Sequence, residues 1–528
     1  MTAIPSRTLQ GFCVTAILAA LIALHAYCIP KLSVTYDEGY HLLYGLKIAQ
    51  GNSDRFDDSK MPFSVLNAAP LKAARLWGLR LDEPKRETLY YSIRVARFAT
   101  VVVSLLLALL IWRWAGELYG AAAGMLGLFV YAFEPNLIAH SQLVTTDLYA
   151  AFTTTLAVYC FWRFSRHGGW RRAFLCALAL GLAQLAKYTA VHLYPLFLLL
   201  TVLSPSAGPW TARLRRFAAV AALFAAVSIL VINVGFLFNR TLTPLSDYQF
   251  KSALFKDIQA HAGPLKALPV PVPYPYLEGL DHVKFNEETG TYFGRAYLLG
   301  KLKEGGERFN GYYFFAFFFK APIAFQILIV LALLSLVRGF NYGQFIRDEL
   351  FLILPILYFS IYFNYMVGGQ MGIRFFLVVF PFLIVLCARL LKDFAVVPRL
   401  RKVTVAVMAF YLLGSSASYF PHYLSYFNEI VWDRKMSYKY LADSNIDWGQ
   451  NLFYAKRYLE ANPHTIWNPF NPAVGRVVID VNYVTGIRGT AGAFDWLKDF
   501  KPTDHVAYSY LVYDITPARL SEVLRRLR

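Results

Sequence analysis

Long apolar runs, separated by turns of alternating cation content, constrain this chain more than any other feature. A bilayer-spanning helix needs about 20 mainly apolar residues. Such stretches lie at 11–30, 96–112, 121–139, 147–164, 173–187, 189–205, 217–238, 311–337, 350–367, 373–391 and 403–420. They fill most of residues 11–420 of a 528-residue chain. The composition agrees: 57% of residues are hydrophobic, 16% are charged and mean hydropathy is +0.42, too apolar for a soluble domain. The expected fold class is an α-helical polytopic membrane protein of about 11 transmembrane helices.

The turns set an orientation. With the N-terminus and Arg7 in the cytoplasm, alternate turns carry Arg113; Arg163, Arg166, Arg171 and Arg172; Arg213, Arg215 and Arg216; Arg338 and Arg347; and Arg389, Lys392, Arg399, Arg401 and Lys402. The intervening turns 140–146 and 368–372 have no Lys or Arg, and the turn near 188 has only Lys187. This is a positive-inside pattern. It accounts for the formal net charge of +19 without a separate basic domain, so nucleic acid is not an expected partner. Three long polar segments then fall on the outer face: 31–95, 239–310 and 421–528. Merging the stretches at 173–187 and 189–205 would reverse everything after them, and the later turns favour keeping them apart.

The expected division is a membrane domain over 1–420 and a small extracytoplasmic α/β domain over 421–528, with a helix at 451–461 and strands in 476–482 and 505–513. Amphipathic turns are expected around Tyr40–Tyr44 and from Lys72, and the proline-rich part of 239–310, with Pro264, Pro269, Pro271, Pro273 and Pro275, is expected to be extended or looped. Cys13, Cys28, Cys160, Cys176 and Cys387 lie in or beside apolar segments and form no CxxC pair, so they read as buried thiols. No small-x-small site follows 11–30, which reads as a retained first span.

Chemistry is concentrated at the outer ends. Adjacent carboxylates stand in Tyr36-Asp37-Glu38-Gly39-Tyr40-His41, just past the first span. Such a pair is either a solvated turn opening a helix or the base of a reactive site. Asp147, in His140-Ser-Gln-Leu-Val-Thr-Thr-Asp147, falls on the same face; it either caps the fourth span or joins the pair around one cavity. Isolated cations accompany them: Lys60 in Asp58-Ser-Lys-Met-Pro62, Lys187, Lys320 in Phe318-Phe-Lys-Ala-Pro322, and Arg374 in Gly372-Ile-Arg-Phe-Phe. Each can snorkel to the interface or hold an anion. Phosphate suits the anion, because both Lys and Arg bind it. Carboxylates that activate an acceptor, with cations that hold a departing phosphate, amount to general-base catalysis plus charge stabilisation. The chain has no Walker A loop, no dinucleotide glycine fingerprint and no HExxH. A phosphate donor carried by a lipid suits a site on the outer face.

At these residues the chain resembles the polyprenyl-phosphate-sugar-dependent glycosyltransferases of the membrane C-type fold. Protein O-mannosyltransferases and lipid A aminoarabinose transferases belong to that superfamily. The matching pieces are Tyr36-Asp37-Glu38, Lys60-Met61-Pro62, Leu143-Val-Thr-Thr-Asp147, Lys320-Ala-Pro322, Gly372-Ile-Arg374-Phe-Phe and Asp443-Ser-Asn-Ile-Asp-Trp-Gly-Gln450, within residues 11–450. The resemblance implies Asp37 as the base that deprotonates the acceptor, Glu38 beside it, and Asp147 positioning the acceptor or a metal. It implies Lys60, Arg374 and Lys320 at the donor phosphate, to which Lys187 is added as another isolated cation at an outer span end; Met61 departs from the proline many relatives carry. Some relatives use a divalent metal ion, and His41 and His140 are its candidate ligands here, although lone histidines also serve packing. Asp443, Asn445, Asp447, Trp448 and Gln450 either contact the sugar or acceptor or cap the following helix.

The expected activity is sugar transfer, with inversion, from a polyprenyl-phosphate donor to a protein, lipid or glycan hydroxyl on the outer face of a bacterial inner membrane. The alternative is a transporter or flippase of lipid-linked saccharides. A scaffold built around the C-terminal domain is a third reading, and it would make Asp37 dispensable.

Overall fold

The computed structural model describes residues 7–55, 59–78, 89–203, 210–290 and 294–527. Asp58 lies outside the described residues. The N-terminal half is built from α1 (Arg7–Cys28), α2 (Glu38–Ala49), α3 (Val65–Arg75), α4 (Leu89–Tyr119), α5 (Ala121–Phe133), α6 (Pro135–His140), α7 (Asp147–His167), α8 (Trp170–Ala186), α9 (Leu193–Leu203) and α10 (Trp210–Gly235). Then come α11 (Ala253–His261), α12 (Tyr274–Thr289), the hairpin of β1 (Ala296–Leu298) and β2 (Lys301–Lys303), α13 (Tyr312–Lys320), α14 (Ile323–Arg338), the single turn α15 (Tyr342–Gln344), α16 (Leu350–Tyr365), α17 (Phe380–Ala388) and α18 (Arg399–Ala417). The tail holds α19 (Leu452–Ala461), β3 (Ile466–Trp467), β4 (Gly475–Asp480), the turn α20 (Val481–Val484), β5 (Asp504–Val506), β6 (Tyr510–Ile515) and α21 (Pro517–Leu527).

The protein is a mainly helical membrane protein. Helix forms in every one of the eleven apolar stretches, but not as eleven uniform spans. Among the described residues five helical segments are long and apolar enough to cross a membrane, and a sixth is reached if one bent pair counts as a span. The interruptions have local causes. Pro135 turns its predecessor Glu134 extended (ψ 114°), so 121–139 breaks into α5 and α6. Pro322 does the same to Ala321, and α13 and α14 meet at 114°. Lys187 is extended between α8 and a short 3-10 turn at Tyr188–His192, which separates α8 from α9.

The segment Ile373–Leu391 is 94% buried, against 22% for Phe217–Gly235 and Arg399–Ala417, so it forms the centre of the bundle. At the arginine-rich end, Arg166 holds Asp348 at 2.7 Å, Trp162 donates to the same Asp348 oxygen at 3.2 Å, and Arg389 pairs with Glu349. These contacts join α7, α16 and the central segment by directional bonds, which matter where lipid removes the hydrophobic drive between helices.

At the opposite end the polar segments fold back over the bundle. α2 and α3 form at the two amphipathic stretches. The proline-rich stretch is looped up to Pro273, and α12 begins directly after it, with Pro275 in its first turn, where no backbone N–H is required. In the tail, β3 and β4 run parallel and the sheet order is β3-β4-β6-β5. The strand read over 505–513 is in fact two antiparallel strands, because Ala507 and Tyr508 take positive φ (51° and 63°) and turn the chain. Packing is continuous across residue 420. The Ser33 amide donates to the Gln450 carbonyl at 2.8 Å and the Tyr36 amide to the Trp448 carbonyl at 3.1 Å, so the segment 443–450 lies against the loop between α1 and α2.

Candidate active site

The adjacent carboxylates part company. Glu38, the first residue of α2, is fully buried. Its Oε1 accepts from Arg97 Nε (2.8 Å) and the Val144 amide (2.9 Å), and its Oε2 from Arg97 Nη2 (2.6 Å) and the Thr35 amide (2.8 Å). Arg97, also fully buried, gives its remaining donors to the carbonyls of Ile29, Leu32 and Ser33. Both Glu38 oxygens are thus taken up in holding the loop between α1 and α2 to α4. Arg97 is the residue that sequence reasoning missed. The available signal was an arginine at the second position of the apolar stretch 96–112, which needs a partner at membrane depth.

Asp37 behaves differently. At the N-cap of α2 its side chain retains 21% exposure, and its Oδ2 accepts from Arg374 Nη1 at 3.0 Å. Arg374 is 9% exposed and also lies 3.8 Å from Asp147 Oδ2. The other Asp147 oxygen takes Lys187 Nζ at 2.5 Å. Asp147 opens α7, where the helix dipole favours negative charge. The result is a row of alternating charges, Asp37, Arg374, Asp147 and Lys187, brought together from α2, the central segment, α7 and the end of α8. The Arg374 guanidinium rests 4.0 Å from the Trp448 ring centroid and donates through Nε to the Met371 carbonyl at 3.1 Å. Its backbone is held by neighbours: Gly372, at φ +85°, packs so closely that a Cβ would sit 2.4 Å from Ser444 Oγ. The Ile373 amide donates to Asn445 Oδ1 at 3.0 Å.

His41 lies beside this row. It is buried, 3.3 Å from Ser64 Oγ, and its imidazole is pushed down to about 3, first by burial and then by Lys60, against the opposing pull of Asp37 and Asp147. Lys60 is itself buried in the loop before α3, 3.3 Å from Ser59 Oγ and 5.9 Å from the Tyr40 ring centroid. His140 packs 6.5 Å from the Trp448 ring, and its buried Nδ1 has no hydrogen-bond partner. Among the described residues no three His, Cys, Asp or Glu side chains converge as a metal site, so His41 and His140 do not form the ligand set expected of them.

Lys320 also departs from its expected role. It is 1% exposed and donates to the carbonyls of Leu424 (2.7 Å) and Asn445 (2.6 Å), while its own carbonyl accepts from Asn136 at 2.7 Å. It is a strut between the bent α13–α14 pair and the segment 421–450, with no donor aimed at Asp37 or Arg374.

The residues 443–450 are mostly architectural. Asn445 Nδ2 donates to Tyr312 Oη (2.9 Å), and Gln450 closes on the Trp448 amide and the Ile446 carbonyl. They do not cap α19, whose N-cap Asn451 makes no side-chain capping bond. Trp448 and Asp443 are the members nearest the charged row. Burial raises the Asp443 carboxyl, with Arg374 pulling it back. Asp447 sits deeper, fully buried, with Oδ1 lacking a partner; burial and then Asp480 push it up to about 7. Arg488, 2.7 Å from Asp480 and 3.8 Å from Asp447, is the only cation that meets both among the described residues.

Residues 90–232 match the sequence profile of the family described as dolichyl-phosphate-mannose-protein mannosyltransferase. No curated protein sequence matches the chain significantly. Among solved structures, the oligosaccharyltransferase of Archaeoglobus fulgidus tethered to an acceptor peptide aligns with TM-score 0.50 and 11% identity, over 78% of this chain and 54% of that one. The same enzyme, AglB, with an inhibitory peptide and a dolichol-phosphate aligns with TM-score 0.46 and 12% identity, over 85% and 60%. ArnT from Cupriavidus metallidurans in the apo state aligns with TM-score 0.34 and 13% identity, over 95% and 97%. The chain thus spans about 54% of the length of the archaeal enzyme it aligns with first. The profile match runs from α4 through most of α10, and the fold resembles that of the archaeal oligosaccharyltransferase.

Proposed function

We propose that this protein is a membrane glycosyltransferase that moves a sugar from a polyprenyl phosphate to an acceptor hydroxyl. The site works at the end of the bundle opposite the arginine-rich turns, which in a bacterium is the periplasmic face of the inner membrane. The observation that carries the reading is Asp37: a partly exposed carboxylate at the rim of a buried row of alternating charges, with Oδ2 engaged by Arg374 and, among the described residues, no hydrogen bond at Oδ1.

In the proposed reaction Asp37 Oδ1 takes the acceptor proton as the acceptor oxygen attacks the anomeric carbon. The bond from that carbon to the lipid phosphate breaks, and the phosphate leaves with the electron pair. Attack opposite the leaving group inverts the anomeric centre. Arg374, Lys187 and Lys60 offer positive charge for the phosphate, and a low-dielectric, pre-ordered site makes that charge effective. Trp448, already a stacking face for Arg374, offers an apolar wall to a sugar. No step runs through a metal ion, because the donor set around Asp37 does not fit one. Residues 1–420 would supply the transferase body, and 421–528 would contribute Trp448 and its supports.

The test is transfer of a labelled sugar from polyprenyl phosphate in membranes carrying Asp37→Asn. The expected loss is about 10²–10⁴-fold, the usual worth of a positioned base. Transfer within a few-fold of wild type would refute the base assignment, and movement of substrate across the membrane without a glycosidic product would replace the enzyme reading with transport.

A further inference from the structure

A cavity lies away from Asp37, at the arginine-rich end of the same helices. Its volume is about 700 Å³, within the range of roughly 300–1,000 Å³ that holds small-molecule ligands. Phe152 and Leu156 of α7 line it with Leu106 and Leu109 of α4 and Leu175 of α8. From Phe152 to Arg163 on α7 it runs about 17 Å at the helical rise. Leu106 and Leu175 are about half exposed, so the groove opens sideways, toward the lipid that surrounds these apolar helices.

The mouth is cationic. Arg113, Arg163, Arg171 and Arg172 border it together with Trp170, which is 65% exposed. Among the described residues the one carboxylate against them is Glu117, 2.9 Å from Arg113 and 3.7 Å from Arg163. Arg163 Nε is buried with no hydrogen-bond partner. Four arginines against one glutamate leave a net positive mouth over an apolar slot, and a tryptophan marks the level of the lipid headgroups. Only an amphiphile satisfies both parts, with an anionic head for the arginines and a hydrocarbon tail for the slot. Basic pockets between membrane helices at the cation-rich face are suited to anionic headgroups.

We infer that the groove between α4, α7 and α8 binds an anionic phospholipid of the leaflet at the arginine-rich end, separately from the sugar-transfer site. Because α7 carries Asp147 at one end and the groove at the other, an occupied groove clamps α4 and α8 against the helix that bears the charged row. The experiment is native mass spectrometry of the full chain released from detergent, with equimolar phosphatidylglycerol, phosphatidylcholine and polyprenyl phosphate offered in competition. Wild type is expected to retain phosphatidylglycerol over phosphatidylcholine, and R171A/R172A is expected to lower that preference roughly tenfold or more. L156W, which fills the slot and leaves the arginines, is expected to remove tail-bearing lipid while soluble glycerophosphate shows no competition. Equal retention of the two phospholipids by wild type, or an unchanged preference in both variants, overturns the site. Preferential uptake of polyprenyl phosphate that L156W abolishes places that lipid in the groove and overturns its assignment to a phospholipid, whereas uptake that L156W leaves unchanged belongs to the transfer site, and its absence counts against the proposed function and not against the groove.

Discussion

Glu38→Gln and Asp37→Asn, changes in adjacent residues, should fail in opposite ways. Glu38 receives four hydrogen bonds through two oxygens, two of them from Arg97. A carboxamide replaces one acceptor oxygen with a donor, so an N–H group faces another N–H and Arg97 is left as a buried, unneutralised charge. Removing one member of a buried pair costs about 3–5 kcal/mol. Asp37 is one-fifth exposed and gives up a single contact, while Arg374 retains Asp147 nearby, so Asp37→Asn should cost about 1 kcal/mol or less. The assay is thermal unfolding of each purified variant in detergent alongside sugar transfer. Glu38→Gln should melt well below wild type and give poor yield, and its surviving folded fraction should still transfer sugar. Asp37→Asn should melt near wild type and be inactive. The double change Glu38→Gln with Arg97→Met should recover part of the lost stability, because both charges go together. A stable Glu38→Gln protein that is selectively inactive would refute the division of roles.

Lys320→Met should act on folding, since it orphans the Leu424 and Asn445 carbonyls at about 1–3 kcal/mol each; an unchanged melting temperature with weaker donor binding would instead return Lys320 to the phosphate. Gly372→Ala should cost about 1–3 kcal/mol for its backbone conformation alone and should also displace Arg374, so transfer should fall more than stability; wild-type activity would show that this turn does not aim Arg374. Asp447 gives a pH test. Burial and then the neighbouring Asp480 hold its carboxyl above the usual carboxylate range, so the folded protein takes up a proton that the unfolded chain does not, and the contribution to stability is present at acidic pH and lost as pH rises through the raised folded value. Asp447→Asn should flatten that decline in melting temperature between pH 5 and pH 8, and an identical decline in the variant would rule Asp447 out as its source.

The apolar runs and the alternation of arginine-rich turns were readable one residue at a time, because solvation of a helix in lipid depends on its own composition. That was enough to define a helical membrane protein and to bring Asp37, Asp147, Lys187 and Arg374 to one end of it. Helix interruptions were less legible. Pro135 and Pro322 were visible, but the 114° bend at Pro322 depends on what α13 and α14 pack against.

The sequence by itself thus determined a helical membrane protein and which isolated charges stand at the ends of its apolar runs. Only the tertiary structure decided what each charge does. Asp37 and Glu38 are neighbours in the chain, yet the first turn of α2 points one toward Arg374 and the other into Arg97, 59 residues away in sequence. Lys320 and Arg374 are equally isolated cations in the sequence, yet one braces two carbonyls and the other joins two carboxylates. The reason is physical: the role of a buried charge is set by the partners that replace its water, and those partners come from distant segments that only the packed bundle brings together.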